Sequence, residues 1–520
     1  MPDYIGIQER FELAEAQCGF MPVIILAGHF PDTNPQALQI SCVKRVRRIL
    51  ETYPLLTVSV ADRLTRRPRW QQHDSHGREE EIAQGLVHLD PRTTNTVEEV
   101  WHEEETAGQN LDLDSGPLWR ISIYSIGGSG CFAALTLCHI ITDGMGALHL
   151  FRLVFGQSRS EPGLDSQPIH TIPPRAEDTI TFTPSLFRAC MSIIPEILSP
   201  LIPTFLQPYV IKQPAFPAPQ ILPKKPFDCA GKRIKLQFGS TSHSLVPGLR
   251  KFGTLTGTGS VQSLLHTASI GALLAAISMA SRDNPLAIST ETPISLRNSS
   301  LHPPLGGNFT GLATYETLTA EMGHRTISQL SSDYNTYIHS ERGRSEARQR
   351  TGMLNFIPDL PSLSFWKPVP KLEGSKVSPP PTGWEIFLHQ QGHAQNPYRS
   401  SLAISNLGLL KDFSAGVETR LGGLWFTQSP MPWGVSFYID VVSCQTKDQD
   451  THLGIVVSWL DGAISGDLAQ QFTNTLYAAL KTMAEAGNSG LESTVLLSDC
   501  LMKDFVGQLA GGREHPSTNR

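Results

Sequence analysis

One stretch of this sequence carries side chains whose types and spacing can do acid–base chemistry. It is Cys138-His139-Ile140-Ile141-Thr142-Asp143-Gly144, an H-x-x-x-D-G pattern. A neutral imidazole takes a proton from a hydroxyl or amine near neutral pH, because its ordinary pKa lies there. Asp143 follows beyond a turn. It either hydrogen-bonds His139 or turns away and fixes the loop through an arginine, and the second role is favoured. Gly144 is expected to give the backbone a conformation that a side chain would forbid. The competing reading is a core histidine followed by a helix-capping aspartate, and the local pattern alone weighs the two evenly. Of the 17 histidines, His139 alone has an aspartate four residues later.

Other reactive candidates are weaker. Cys138 is rejected as a nucleophile, because neighbours on a strand face opposite ways, so Cys138 and His139 do not pair. Asp112-Leu113-Asp114-Ser115-Gly116 hints at a calcium loop but lacks the closing acid, so a turn is expected. His73 and His76 sit in a polar loop with Asp74 and no third ligand, so no metal is expected. The sequence holds no G-x-G-x-x-G, no P-loop and no G-x-S-x-G.

The elements around the motif read as alternating helices and strands, which defines an α/β class. Trp119 to Ile126 and Cys131 to His139 are predicted strands joined by a glycine turn, and Met145 to Phe155 is a predicted helix. The motif therefore falls where a strand enters a sharp loop before a helix. Leu38, Cys42, Val43, Val46, Ile49 and Leu50 form a helical stripe that ends at Tyr53-Pro54. Further on, strands are expected at 234–238, 287–296, 402–404, 434–442 and 454–459, with helices at 260–280 and 467–483. The expected organisation is an N-terminal half over 1–185, a proline-rich crossover over 186–231, a C-terminal half over 232–508 and a tail over 509–520. The apolar run 187–211 is interrupted by four prolines and Glu196, so packing on the body is favoured over a membrane-surface role.

Composition sets the outer limits. With 520 residues and 40% hydrophobic residues, the chain has ample material for more than one core. Its 42 Lys+Arg against 48 Asp+Glu give a net charge of −6, which argues against nucleic acid as a partner. The 8 cysteines include no C-x-x-C pair, so a reducing, cytoplasmic setting is expected. The first residues carry neither a basic n-region nor an apolar h-region, so no signal peptide is expected.

Several short motifs, taken in order, resemble the fungal alcohol acetyltransferase family. That family lies within the CoA-dependent acyltransferase superfamily, with chloramphenicol acetyltransferase, plant BAHD acyltransferases and the condensation domains of peptide synthetases. The residues carrying the resemblance are Glu51 to Leu56, Leu111 to Arg120, His139 to Gly144, Thr292 to Arg297 with Gly307 to Gly311, Ile404 to Gly408, and Trp425 to Ser429. The sequence departs from many relatives in having Cys138 where they have a first histidine. The plant D-F-G-W-G motif is absent, with only a faint echo in Pro432-Trp433-Gly434.

The resemblance implies two chloramphenicol-acetyltransferase-like halves, each with a mixed sheet, and a channel between them. It implies that His139 is the general base, with Asp143 beside it in the catalytic motif and Gly144 in support. Asp143 would pair with an arginine of the second half, for which Arg297 is the candidate. Ser405 and Asn406 would lie near the thioester, and Trp425, Ser429 and Trp433 on the acceptor side. The implied reaction moves an acetyl or other short acyl group from acyl-CoA, a co-substrate and not a bound cofactor, to the hydroxyl of a small apolar acceptor. The partners would be those two small molecules, in a monomer. Two alternatives are a condensation-type enzyme with a carrier-protein donor and a non-catalytic binding protein of the same fold.

Overall fold

The computed structural model describes residues 4–73, 77–94, 96–127, 130–156, 172–186, 189–190, 235–239, 245–280, 287–357, 382–394, 397–410, 421–445 and 451–511. The proline-rich crossover and the apolar run 187–211 lie almost wholly outside these residues.

The first half runs α1 (Ile7–Gln17), β1 (Val23–Phe30), α2 (Pro35–Thr52), a hairpin of β2 (Val58–Ala61) and β3 (Arg69–Gln72), α3 (Glu79–Leu86), β4 (Val87–Thr94), α4 (Val97–Gln109), β5 (Trp119–Ile126), β6 (Cys131–Cys138) and α5 (Gly144–Phe155). The second half contains β7 (Lys235–Gly239), α6 (Leu245–Thr256), α7 (Val261–Ala280), β8 (Ala287–Ser295), β9 (Thr310–Leu318), α8 (Ile327–His339), α9 (Glu341–Gly352), α10 (Gly383–Gly392), β10 (Tyr398–Leu410), β11 (Gly423–Gln428), β12 (Gly434–Gln445), β13 (Thr451–Trp459), α11 (Gly466–Ser489), α12 (Leu491–Ser498) and α13 (Met502–Gly511). The last helix reaches Gly511, three residues into the segment expected as tail.

Local sequence explains these boundaries. Asn34 accepts a hydrogen bond from the Ala37 N–H and Pro35 opens α2, which then buries Leu38, Cys42, Val46, Ile49 and Leu50 along one stripe. Ser465 caps α11 in the same way through the Leu468 N–H. Every residue of β6 is buried, as expected of a central strand covered on both faces. Strands β10, β12 and β13 are longer than their predicted segments. Polar residues such as Ser400, Asn406 and Ser443 continue the pairing, and these do not stand out by hydropathy.

Two mixed sheets organise the molecule, confirming the two-lobed α/β class. The first has the order β11-β1-β6-β5-β4, with only the β4–β5 pair parallel. The second has the order β7-β13-β12-β10-β8-β9, with β12–β10 and β10–β8 parallel. Each lobe has its own hydrophobic core. The first sheet is not built from the first half alone. Strand β11 leaves the second half and pairs with the outer edge of β1, Ile24 opposite Gln428.

Strand β11 is tied back to its own lobe by Asp440 of β12. That buried carboxylate accepts from Thr427 Oγ1 at 3.1 Å, the Gln428 N–H at 3.0 Å and Gln428 Nε2 at 3.0 Å. A smaller apolar cluster of Ile7, Ala14, Phe20, Trp384, Leu388, Met431 and Trp433 seats α1 against α10 and the β11–β12 loop. Among the described residues, one helical stretch, Val261–Met279, is long and apolar enough to cross a membrane, but it is largely buried within the second core.

Candidate active site at the end of strand β6

Pairing of β6 with β1 ends at Cys138 opposite Val23. His139 is the next residue, and its backbone N–H donates to the Pro22 carbonyl at 2.7 Å. Cys138 turns into the core, with its Sγ 3.6 Å from Met21 Sδ, and burial pushes its thiol up to about 12. A thiol so protonated and enclosed is no nucleophile.

Asp143 does not face His139. Its carboxylate caps α5 by accepting from the Gly146 N–H at 2.9 Å, and its other oxygen accepts from Arg297 at 2.8 Å and from the Phe309 N–H at 3.1 Å. The favoured sequence reading had Asp143 fix the loop through an arginine, and the geometry takes that form. Arg297 also donates to the carbonyls of Pro303, Gly306 and Gly307, while its guanidinium lies 4.7 Å from the Phe309 ring centroid. The motif loop of one lobe is thereby held by the β8–β9 loop of the other. Thr142 forms a bridge with Gly307, and Asn308 Nδ2 donates to the His139 carbonyl at 2.9 Å.

Gly144 requires a correction. Its φ is not left-handed, so the conformational freedom expected of it is not used. The requirement is space. A Cβ on Gly144 would stand 2.7 Å from Leu407 Cδ2, on the strand that carries Ser405 and Asn406. Those two residues thus lie beside the motif loop. Ser405 is buried, and Asn406 is occupied on both sides, donating to Gln262 Oε1 at 3.0 Å and accepting from the Gly408 N–H at 2.9 Å.

The three proposed acceptor-side residues separate. Ser429 lies at the same end of the first sheet as His139, where its hydroxyl accepts from the Val23 N–H and donates to Glu105 at 2.8 Å. Trp433 reaches the flank of His139 through α1, its indole N–H donating to Glu15 at 2.7 Å. Trp425 is not brought to the site. It pairs opposite Ala27, four residues from the Val23 end, which is roughly 13 Å along the strand. There it packs against Phe132 and His452.

His139 itself is mostly enclosed, with 21% of its side chain exposed. Burial lowers its pKa below the ordinary histidine value, opposed by its own carbonyl and by the charges of Asp143 and Glu15. The ring is therefore neutral and able to accept a proton at neutral pH. Nδ1 is buried on the side of the residue's own carbonyl, so the exposed edge of the ring is left to Nε2.

Sequence reasoning missed the acidic face of α1. Glu9, Glu12 and Glu15 recur at every third residue, and the helix packs beside the motif. Glu9 accepts from the Asn308 N–H at 2.9 Å, and Glu12 Oε1 lies 3.9 Å from His139 Nδ1. Burial pushes both carboxyls up to about 7. The only available signal was the spacing of three acids in a helix that also carries Ile7, Leu13 and Ala14. By ordinary statistics such acids face solvent. Among the described residues, no cluster of acids, histidines and cysteines could hold a metal ion.

No protein-family model matches this sequence, and no curated protein is similar to it in sequence. Solved structures share its fold. TRI3 trichothecene 15-O-acetyltransferase from Fusarium sporotrichioides superposes with a TM-score of 0.59 at 11% identity, over 92% of this chain and 94% of that one. The condensation domain of the Monacolin K polyketide synthase MokA gives 0.53 at 10% identity, over 93% and 97%. The wax ester synthase/diacylglycerol acyltransferase of Marinobacter aquaeolei VT8 gives 0.50 at 14% identity, over 93% and 100%. The chain therefore has the two-lobed fold of these condensation-domain and acyltransferase structures.

Proposed function

We propose that this protein is an acyltransferase, with His139 as the general base that activates a hydroxyl acceptor. The observation that carries this reading is the state of His139. It is a neutral imidazole with a partly exposed edge at a sheet end, held from behind by contacts that cross between the lobes. In the proposed reaction Nε2 takes the hydroxyl proton as the acceptor oxygen attacks the thioester carbonyl. The tetrahedral intermediate then expels the thiolate, which receives the proton from the imidazolium. No protein nucleophile is needed, and Cys138 is unsuited to be one. A positioned base of this kind contributes about 10²–10⁴-fold.

The donor proposed is acyl-CoA, acetyl-CoA first. The acceptor proposed is a small apolar alcohol of fungal specialised metabolism, following the resemblance to alcohol acetyltransferases. The test is His139→Ala, folded as judged by its thermal midpoint, assayed for free thiol released from acetyl-CoA over a panel of alcohols. Loss of at least ~10²-fold in turnover supports the reading, and unchanged thiol release refutes it. Running acetyl-CoA beside an acetylated carrier protein identifies the donor.

A further inference from the structure

The Arg297 clamp holds the motif loop at Asp143, and a second element of the same lobe presses on the residue that follows. Strand β10 falls out of step with β12 at that point. Asn406 stands opposite Val441 and Leu409 opposite Ser443, so an advance of three residues on β10 meets an advance of two on β12. One extra residue of this kind is a β-bulge, and a bulge re-aims the side chains it carries. Leu407 is the side chain affected. It packs against the core of the first lobe, and its Cδ2 lies 2.7 Å from the place where Gly144 would carry a Cβ.

Asn406 builds this bulge. Its Oδ1 accepts from the Gly408 N–H at 2.9 Å, which closes an Asx turn around Leu407. Gly408 has a φ of +79°, and nothing lies within 4 Å of a Cβ placed on it, so glycine serves there for its conformation and not for room. Gly144 is the reverse case. Ser443 of β12 closes the far side of the turn, its hydroxyl donating to the Gly408 carbonyl at 3.1 Å. The Asn406 amide is fixed in turn by Gln262, in the first turn of α7, whose Oε1 accepts from Nδ2 at 3.0 Å. Gln262 Nε2 donates to the Tyr334 hydroxyl at 3.3 Å, and that hydroxyl lies 2.7 Å from Thr292 Oγ1 of β8. The Tyr334 ring stacks on buried His266 with centroids 3.6 Å apart, and His266 Nε2 lies 2.9 Å from Thr290 Oγ1. The turn thus rests on α7, α8 and β8, in the packed interior of the second lobe.

We infer that Asn406 is a positioning residue for the catalytic loop: the turn it closes seats Leu407 in the notch left by Gly144, and that contact sets where His139 stands relative to the substrates. Asn406 touches no substrate and acts only through Leu407. The loop is then gripped by the second lobe at two successive residues, through charge at Asp143 and through shape at Gly144. This inference rests on the general-base reading of His139.

The experiment measures thiol release from acetyl-CoA by full-length protein, with an alcohol that wild type accepts. Asn406→Ala removes the acceptor that closes the turn and is expected to lose roughly 10–10²-fold in kcat, the cost of a displacement of about 1 Å at the base. The KM for acetyl-CoA is expected to change less than about threefold, because the residue acts on the base and not on binding. Asn406→Asp keeps an oxygen for the Gly408 N–H, and Gln262 can turn its amide to donate to the new carboxylate, so most of the lost kcat is expected to return. Leu407→Ala is expected to lower kcat to a similar degree. The double variant Asn406→Ala/Leu407→Ala is expected to be no slower than the slower single one, since both changes remove the same contact. Losses that multiply in the double variant overturn the inference. So do wild-type kcat in Asn406→Ala, a change confined to KM, or an Asn406→Asp protein no faster than Asn406→Ala. If Asn406→Ala does not fold, Asn406→Ser takes its place, since its hydroxyl closes the same turn more weakly, and the same outcomes decide. His139→Ala separates the two claims: intact turnover in that variant refutes the base reading, whereas multiplying losses beside an inactive His139→Ala refute the role of Asn406 alone.

Discussion

The Asp143–Arg297 pair gives the sharpest test of how the site is held, through Arg297→Met, Arg297→Lys, Asp143→Asn and the double variant Asp143→Asn/Arg297→Met. Both side chains are nearly closed to solvent, at 3% and 10% exposure. Removing the guanidinium leaves the Asp143 carboxylate with two backbone N–H donors and no counter-charge. Loss of one member of such a buried pair costs about 3–5 kcal/mol. Arg297→Met also orphans the carbonyls of Pro303, Gly306 and Gly307. Lysine keeps the charge but has one nitrogen in place of the planar fork, so it cannot reach all these acceptors and should fall between wild type and methionine. The double variant should recover about 1–3 kcal/mol of the summed losses, since the two residues share one network. Urea unfolding at pH 7, followed by tryptophan fluorescence, measures all four variants. Thiol release measures the loop, because a displacement of about 1 Å at the base is worth roughly 10²-fold. Additive losses, with coupling below about 0.5 kcal/mol, would refute the claim that this pair clamps the motif loop.

Two further predictions follow from buried positions. Burial raises the Asp440 pKa from 3.8 to about 7. A folded-state pKa above the unfolded one gives stability that is present below pH 4 and lost as pH rises through 7. Wild type should therefore lose about 2–3 kcal/mol relative to Asp440→Asn between pH 5 and pH 8, read from urea unfolding, and parallel pH curves would contradict this. For Gly144→Ala, overpacking against Leu407 should cost about 1–3 kcal/mol. Leu407→Ala in the same chain should restore much of it, whereas a backbone-strain origin would leave the double variant no better.

The sequence made the strands around the motif legible because β5, β6 and the stripe of α2 bury unbroken apolar faces. It also pointed to Arg297 and to the Gly307–Gly311 segment, through a resemblance and not through periodicity. Two parts were hidden for physical reasons. The acids of α1 went unread, because nothing in a single sequence shows that a helix's polar face packs against another lobe. The placement of β11 depends on long-range pairing with β1, which local pattern does not encode, so Trp425 was expected at a site that lies elsewhere on the sheet.

Strand β11 also dictates an order of events during synthesis. The apolar β1 is made among the first thirty residues, yet one edge of it stays unpaired until residue 428 has left the ribosome. At 5–20 residues per second that wait is roughly 20–80 s. Throughout it the nascent first lobe presents an open hydrophobic edge able to recruit strands from other chains. A fragment cut at the crossover would keep that exposure permanently, so the first lobe expressed alone is a candidate for aggregation and not a minimal enzyme.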